Sequence, residues 1–353
     1  MKGVILSGGK GTRLAPITLD YPKQLLPVMG KPIIFYTIEY LLEAGINEIG
    51  IVVSNETGAL IEEAVLNKKF PATFQFIYQA EPLGLAHAIG LSKGFIEKNE
   101  DFVVLLGDNL FDKKLSSLIK TFNDTDASSL VLLKEVDTPH AFGVVKFDAE
   151  SGRAKQLVEK PKAFVSKYAI VGVYLFKYEI FDAIAALNPS SRGELEITDA
   201  IASQVELGQN VQTSLLDSFW YDTGTLPGLI TSNKRLLIAN KNFDNRGADV
   251  RDSILLGGVL ISEGCSIQNC NIMGPVYIGP NTKLKNCIVG PFTSISENNI
   301  LEDVEIQQSL LMQNCNIENT KIISSFVYKE TKVKNCRMIL DEIFNGSKLC
   351  ETY

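Results

Sequence analysis

Apolar positions run through this chain in two rhythms. Up to about Ile238, short continuous apolar runs alternate with longer segments of helical spacing. Val4-Ile5-Leu6 reads as a buried strand, Phe102 to Leu106 as a fully apolar one, and Ile49 to Val53 and Phe74 to Tyr78 as further strand candidates. Pro32 to Ala44 reads as a helix, with proline suited to its first turn and Gly45 to its stop. A second helix is expected from about Gly84 to Lys98. Strands alternating with helices predict a parallel, Rossmann-like doubly wound α/β sheet. The stretch Leu130 to Phe176 is richer in strands (Leu130 to Val136, Gly143 to Phe147, Tyr168 to Phe176) and makes the expected sheet mixed.

After about Asn240 the rhythm changes. Aliphatic residues recur every five or six positions, at Ile261, Ile267, Ile272, Ile278, Leu284, Val289, Ile295, Ile300, Ile306, Leu311, Ile317 and Ile322. Turn-forming pieces such as Gly279-Pro280-Asn281 lie between them. This period fits neither a helix nor a simple hairpin. It fits stacked coils of a left-handed parallel β-helix, with one aliphatic residue per face. Asn-Cys pairs at 269–270, 286–287, 314–315 and 335–336 fit small residues stacked at equivalent corners. The domains expected are therefore residues 1–240 and 241–353, the second ending in a short tail.

Composition narrows the function. The chain has 353 residues, 45% of them hydrophobic, ample for globular cores. No apolar run approaches a membrane span, and the first residues lack the apolar core of a signal peptide, so a cytoplasmic protein with no membrane partner is expected. A net charge of −7 without a long basic block argues against nucleic acid. All six cysteines lie in the last quarter without a CxxC pair, which disfavours zinc and reads as small, reduced, buried side chains.

The candidate chemistry begins at Gly3–Pro27, where an apolar strand runs into Gly8-Gly9-Lys10-Gly11-Thr12-Arg13 and then Pro22-Lys23-Gln24. It is not a Walker A loop, since Gly11 follows Lys10, and not a dinucleotide fingerprint, since Leu14 stands where the third glycine belongs. The physics still suits phosphate. Gly8, Gly9 and Gly11 let backbone N–H groups approach an anion. Arg13 can fork onto phosphate oxygens and Lys23 adds a point charge. A glycine-rich turn beside two solvated cations would have the same composition, so the loop alone does not decide.

Gly8-Gly9-x-Gly11-Thr12-Arg13-Leu14 with Pro22-Lys23-Gln24-Leu25-Leu26-Pro27 resembles the signature of the sugar-1-phosphate nucleotidylyltransferases, nearest to the long-form glucose-1-phosphate thymidylyltransferases. The resemblance continues through Pro82-x-Gly84-Leu85-Ala86, Leu106-Gly107-Asp108-Asn109, Phe142-Gly143-Val144-Val145, Glu159-Lys160-Pro161, Arg192 to Asp199 and Trp220-x-Asp222-Thr223-Gly224. It implies attack of a sugar 1-phosphate on the α-phosphate of a nucleoside triphosphate, dTTP with glucose 1-phosphate, releasing pyrophosphate. The nucleophile is already anionic, so catalysis should be positioning and charge neutralisation.

The resemblance also implies roles. Leu6, Gly8, Gly9, Gly11, Thr12, Arg13, Lys23, Gln24, Gln79, Gly84 and Asp108 would bind nucleotide. Arg13, Lys23 and Asp108 would be catalytic, and Gln24 and Gln79 would read a pyrimidine edge. Asn109, Gly143, Glu159, Lys160, Ile170, Arg192 and Trp220 would hold the sugar phosphate, and Asp108 and Asp222 would bind Mg2+, which takes few protein ligands. Two positions depart from the pattern: Phe142 stands where it often has Tyr, and His87 where it often has Gln. His87 and His140 read as packing or surface residues. The repeat region contains no histidine, the usual base for acyl transfer in some relatives, so no acetyl transfer is expected from it. A homo-oligomer is expected, because a solenoid presents a long stackable face. Uridylyl or guanylyl transfer to another hexose phosphate, and a non-catalytic nucleotide-sugar sensor, remain the alternatives.

Overall fold

The computed structural model describes all residues except 20, 246, 340–342, 345–346 and 350–353, and leaves out the side chains of 343–344 and 347–349 as well. Contacts divide the chain into two compact units. The first is Met1–Lys10 with Ile34–Trp220, and the second is Gly11–Ile33 with Tyr221–Tyr353.

The first unit is built on a mixed sheet. Lys2–Ser7 lies at its centre, parallel to Glu48–Ser54 on one side and to Phe102–Leu106 on the other. Thr73–Gln79 extends the parallel part beyond Glu48–Ser54. Beyond Phe102–Leu106 the sheet turns antiparallel: Tyr168–Phe176 pairs with it, and also with Ser129–Glu135. Gly143–Phe147 and Ala154–Glu159 form an antiparallel pair at that end. The central strands carry Val4, Ile5, Val103, Val104 and Leu105 at 0% exposure. Helices explain that continuous apolar pattern, because both faces are covered. Phe102 stacks on Phe181, rings 5.2 Å apart and within 5° of parallel, where the Ile180–Ala185 helix packs on the sheet.

The helix expected from Gly84 to Lys98 is shorter than its pattern. It runs Leu85–Leu91 and gives way to a 3-10 turn at Ser92–Gly94. The Ser92 hydroxyl donates to the carbonyl of Ile89 at 2.6 Å, competing locally with the helical ladder.

The second unit is a parallel β-helix with the Leu226–Ala239 helix leading into it. Ile267, Leu284, Leu301, Ile317 and Val333 pair in one inner row, each 2% exposed or less. Burying each such side chain contributes about 1.5–3 kcal/mol. The row corrects one expected core residue: Ile300 is 47% exposed, and its neighbour Leu301 is the inward one. The coil length changes nearby, from a 17-residue spacing at Asn269–Asn286 to a 16-residue spacing at Asn319–Asn335. Leu301 still keeps the 17-residue step from Leu284, and the shorter step begins with Ile317. The Asn-Cys corners divide their work. Asn269, Asn286, Asn314 and Asn335 adopt left-handed backbone, with φ of +52° to +61°. Asparagine tolerates that region. Cys270, Cys287, Cys315 and Cys336 turn inward beside them. Cys265, Cys270, Cys287 and Cys315 are free thiols. Cys336 is disulfide-bonded, unlike the reduced state its setting suggests. Cys350 lies outside the described residues.

Candidate active site

The expected site residues fall in both units. In the first, the carboxyl ends of the parallel strands gather a large share of them, as expected for ligand sites in open α/β sheets. Leu6 is 7% exposed and leads through Ser7 to Gly8 and Gly9. The Gly107 amide donates to the Leu6 carbonyl at 2.9 Å, setting Asp108 just beyond the neighbouring strand end. A Cβ on Gly107 would stand 2.3 Å from the Ser7 Oγ, so a side chain there would force the Ser7 hydroxyl to turn away. Asp108 and Asn109 are 9% and 3% exposed. Asn109 Nδ2 donates to the Val171 carbonyl at 3.2 Å, where the Tyr168–Phe176 strand shifts register. One of its amide hydrogens is thus committed to the fold.

Gln79 closes its strand, buried, with Nε2 2.9 Å from His87 Nδ1. Gly84 has φ +107°, and its place for a Cβ is filled by the backbone of Leu195. Leu195 donates to the Leu83 carbonyl at 2.7 Å and accepts from the Ala86 amide at 3.0 Å. Two loops far apart in sequence are laced around that glycine.

A second cluster gathers the residues expected at the sugar. Thr198 Oγ1 donates to Glu159 Oε2 at 2.7 Å. A Cβ on Gly143 would come 2.7 Å from Thr198 Oγ1 and 2.8 Å from Glu159 Oε2, so glycine leaves room for both. Ile170 lies within 3.5 Å of the same point. Burial pushes the Glu159 carboxyl above its ordinary value, and the Thr198 hydrogen bond only partly offsets this. Lys160 is exposed, with φ +40°, and its amide donates to the Phe142 carbonyl at 3.0 Å. Arg192 faces three carboxylates: Glu196 at 2.7 Å, Glu194 at 3.2 Å and Glu159 at 3.5 Å. An arriving phosphate would compete with all three, and Lys160 has no such crowd among the described ion pairs. Trp220 meets Phe142 edge-on, ring centroids 5.4 Å apart. Its Nε1 is buried without a hydrogen-bond partner among the described residues. Thr198 and Glu196 were given no role by sequence reasoning; their only signal was membership of the Arg192–Asp199 motif.

The second unit holds the rest. Gly11 is left-handed at φ +64° and opens a 3-10 turn, Thr12–Leu14. Its carbonyl accepts from the Thr18 hydroxyl at 2.7 Å. The Lys23 Cδ runs 3.3 Å from where a Gly11 Cβ would be. Gln24 is 1% exposed, its Oε1 unpartnered among the described residues. Arg13 pairs with Asp222 across 3.0 Å, and the Gly224 amide donates to the other Asp222 oxygen at 2.8 Å. Arg13, with a side chain 60% exposed, can exchange this partner for phosphate. Among the described residues no group of three or more His, Cys, Asp or Glu gathers as a metal cage. Asp108 lies in the first unit and Asp222 in the second, and each offers carboxylate oxygens, the donor type that suits Mg2+.

Comparison with known proteins gives this arrangement its family. The model of the nucleotidyl transferase family matches residues 2–238, and that of the GlmU-like C-terminal hexapeptide domain matches residues 240–301. A glucose-1-phosphate thymidylyltransferase of Streptomyces griseus is 37% identical over 92% of this chain and 91% of its own. A low-salt glycan biosynthesis nucleotidyltransferase of Haloferax volcanii is 37% identical over 97% of this chain and 96% of its own. The solved structure of a UDP-glucose pyrophosphorylase with UDP-glucose is 28% identical, with a TM-score of 0.62 over 68% of this chain and 99% of its own. A phosphate-suited glycine loop, carboxylates beyond strand ends and a solenoid tail thus lie in a chain that belongs to the nucleotidyl transferase family, with a GlmU-like hexapeptide domain behind the transferase domain.

Proposed function

We propose that the chain transfers a thymidylyl group from dTTP to glucose 1-phosphate, giving dTDP-glucose and pyrophosphate with Mg2+. The observation that carries this reading is the full-length likeness to a thymidylyltransferase, at 37% identity over nine-tenths of both chains. The geometry supports it. A phosphate oxygen of glucose 1-phosphate attacks the α-phosphorus of dTTP, the bond to the bridging oxygen breaks, and pyrophosphate leaves. No base is needed. Arg13 and Lys23 offset charge on the triphosphate. Asp108 and Asp222 would hold Mg2+, which neutralises the reacting phosphates when bound. Glu159 accepts from sugar hydroxyls, with Thr198 fixing its second oxygen. Lys160 holds the sugar phosphate. Arg192 orders Glu159 and Glu196 in the resting protein and would reach phosphate only by releasing them. Uridylyl transfer to the same sugar phosphate is the second reading, favoured by the likeness to a pyrophosphorylase holding UDP-glucose.

Pyrophosphate release with glucose 1-phosphate and Mg2+, measured separately with dTTP, UTP, GTP, ATP and CTP, decides between them. Release is expected with dTTP and little with the purines. A preference for UTP gives the second reading, and release with none of the five removes both. Asp108→Asn should lower kcat by about a hundredfold or more, as loss of charge stabilisation at a reacting centre does. Normal turnover at matched Mg2+ would take Asp108 out of the mechanism.

A further inference from the structure

Histidine at position 87 reads from sequence as a packing or surface residue, and in the fold it meets Gln79. Gln79 is 6% exposed, at the carboxyl end of its strand. Its amide is held on both sides. Nε2 stands 2.9 Å from His87 Nδ1. Oε1 stands 2.7 Å from the place a Cβ would take on Gly8, directly over the glycine loop. In this orientation of the amide the nitrogen donates and Nδ1 accepts, which requires the ring proton on Nε2. With the ring proton on Nε2, an amide turned over would set its carbonyl against the Nδ1 lone pair; only a ring protonated on Nδ1 would accept that orientation. For the buried Gln79 amide, being left unsatisfied costs about 1–3 kcal/mol. The backbone that carries His87 is held in place. It lies in the Leu85–Leu91 helix between Ala86 and Ala88, which are 0% and 5% exposed. The helix start is tied to the Leu195 carbonyl by the Ala86 amide, at 3.0 Å.

We infer that His87 is a positioning residue for base choice: by accepting from Gln79 Nε2 it holds Gln79 Oε1 toward the glycine loop as a fixed acceptor. That polarity suits thymine and uracil, whose ring N3 carries a hydrogen. It opposes cytosine, whose N3 is itself an acceptor. A side chain at 87 without an acceptor leaves Gln79 able to present either end. The inference rests on the proposed reading that this chain binds a pyrimidine nucleotide against Gln79. It adds the residue that gives Gln79 its direction.

Two measurements on the full chain test it. The chain has two histidines, so histidine-selective 15N labelling yields two ring systems to assign. In the neutral ring of His87 the proton should lie on Nε2. A proton on Nδ1 overturns the inference, whatever the catalytic activity. The second measurement compares dTTP with dCTP in wild type and His87→Leu. The ratio of kcat/KM for dTTP over dCTP should fall by about tenfold to a hundredfold, the size expected when a buried polar pairing sets selectivity. The KM for glucose 1-phosphate should stay put, which a general loosening of the fold would not allow. An unchanged ratio overturns the inference. If wild type turns over no nucleotide, the proposed reaction fails on its own account, and the same ratio is read from dTTP and dCTP binding by calorimetry. Binding of neither, or equal binding of both by wild type, overturns the inference as well.

Discussion

Glu159 is a partly buried carboxyl whose protonation is linked to the stability of the fold. Its side chain is 20% exposed, and burial raises its pKa above the ordinary value. A carboxyl raised in the folded state binds its proton more tightly folded than unfolded. Its contribution to stability is therefore greatest below the unfolded pKa and is lost as pH rises through the folded one. At neutral pH the charged form costs the fold something. Glu159→Gln keeps the shape and an acceptor for Thr198 Oγ1. Thermal unfolding should show the variant more stable than wild type at pH 7, with the difference closing as pH falls into the carboxylate range. The KM for glucose 1-phosphate should rise about tenfold, because a hydrogen bond to a charged group contributes about 1.5–3 kcal/mol. A variant less stable at pH 7 than at pH 4, relative to wild type, would mean that Arg192 and Thr198 outweigh the burial.

At the scale of elements, much was legible because local pattern and tertiary setting agree. The strands at Phe102–Leu106, Gly143–Phe147 and Tyr168–Phe176 begin and end where their apolar runs do. The departures have physical causes. The Gly84 helix stops at Leu91 because Ser92 bonds back to the chain. Leu301, not Ile300, is inside because it stands 17 residues after Leu284 in the inner row, and two adjacent aliphatic residues give no local sign of which one turns inward. The motif residues were legible as types, yet their partners were not: nothing local announces that Thr198 bonds Glu159, thirty-nine positions away. Gly84 illustrates the same limit. Its motif marks it, but the Leu195 backbone that fills its Cβ place comes from another element. Gly84→Ala must strain a φ of +107° and displace that backbone, where the added Cβ would lie 2.5 Å from the Leu195 carbonyl oxygen. A loss of about 1–3 kcal/mol in denaturant unfolding is expected from the strained conformation alone. Gly94→Ala is the control, since its φ is ordinary and nothing lies within 4 Å of its added Cβ. Equal stability of the two variants would show that the loop around Leu195 yields freely.

At the scale of the molecule, the chain's contacts cut across its sequence order. The segment Gly11–Ile33, with Arg13, Lys23 and Gln24, belongs to the same unit as the β-helix and not with the sheet that precedes and follows it. Tyr21 meets Tyr328 edge-on at 6.0 Å. Gly30, at φ +71°, lies so close to Tyr277 that a Cβ would fall 1.9 Å from its ring. Asn233 joins the pieces. It is 1% exposed on the Leu226–Ala239 helix. Its Oδ1 accepts from the Met29 amide at 2.9 Å and the Ser294 hydroxyl at 2.7 Å, while Nδ2 donates to the Phe292 carbonyl at 3.1 Å. One side chain thus ties the N-terminal segment to the solenoid's coils, which gives the β-helix a supporting task that needs no chemistry of its own. Asn233→Leu removes all three bonds and strands their partners in a buried place. A loss of about 2–5 kcal/mol is expected, given ~1–3 kcal/mol for each group left unsatisfied and some relaxation. Hydrogen exchange separates this from general damage. Amides of residues 11–33 should exchange faster in the variant, and those of the Lys2–Ser7 and Phe102–Leu106 strands should keep their protection. Pyrophosphate release should fall with the order of the segment that carries Arg13 and Lys23. Unchanged exchange in residues 11–33 would mean that Tyr21 and Gly30 hold the segment without Asn233, and the support would then lie in apolar contact with the coils.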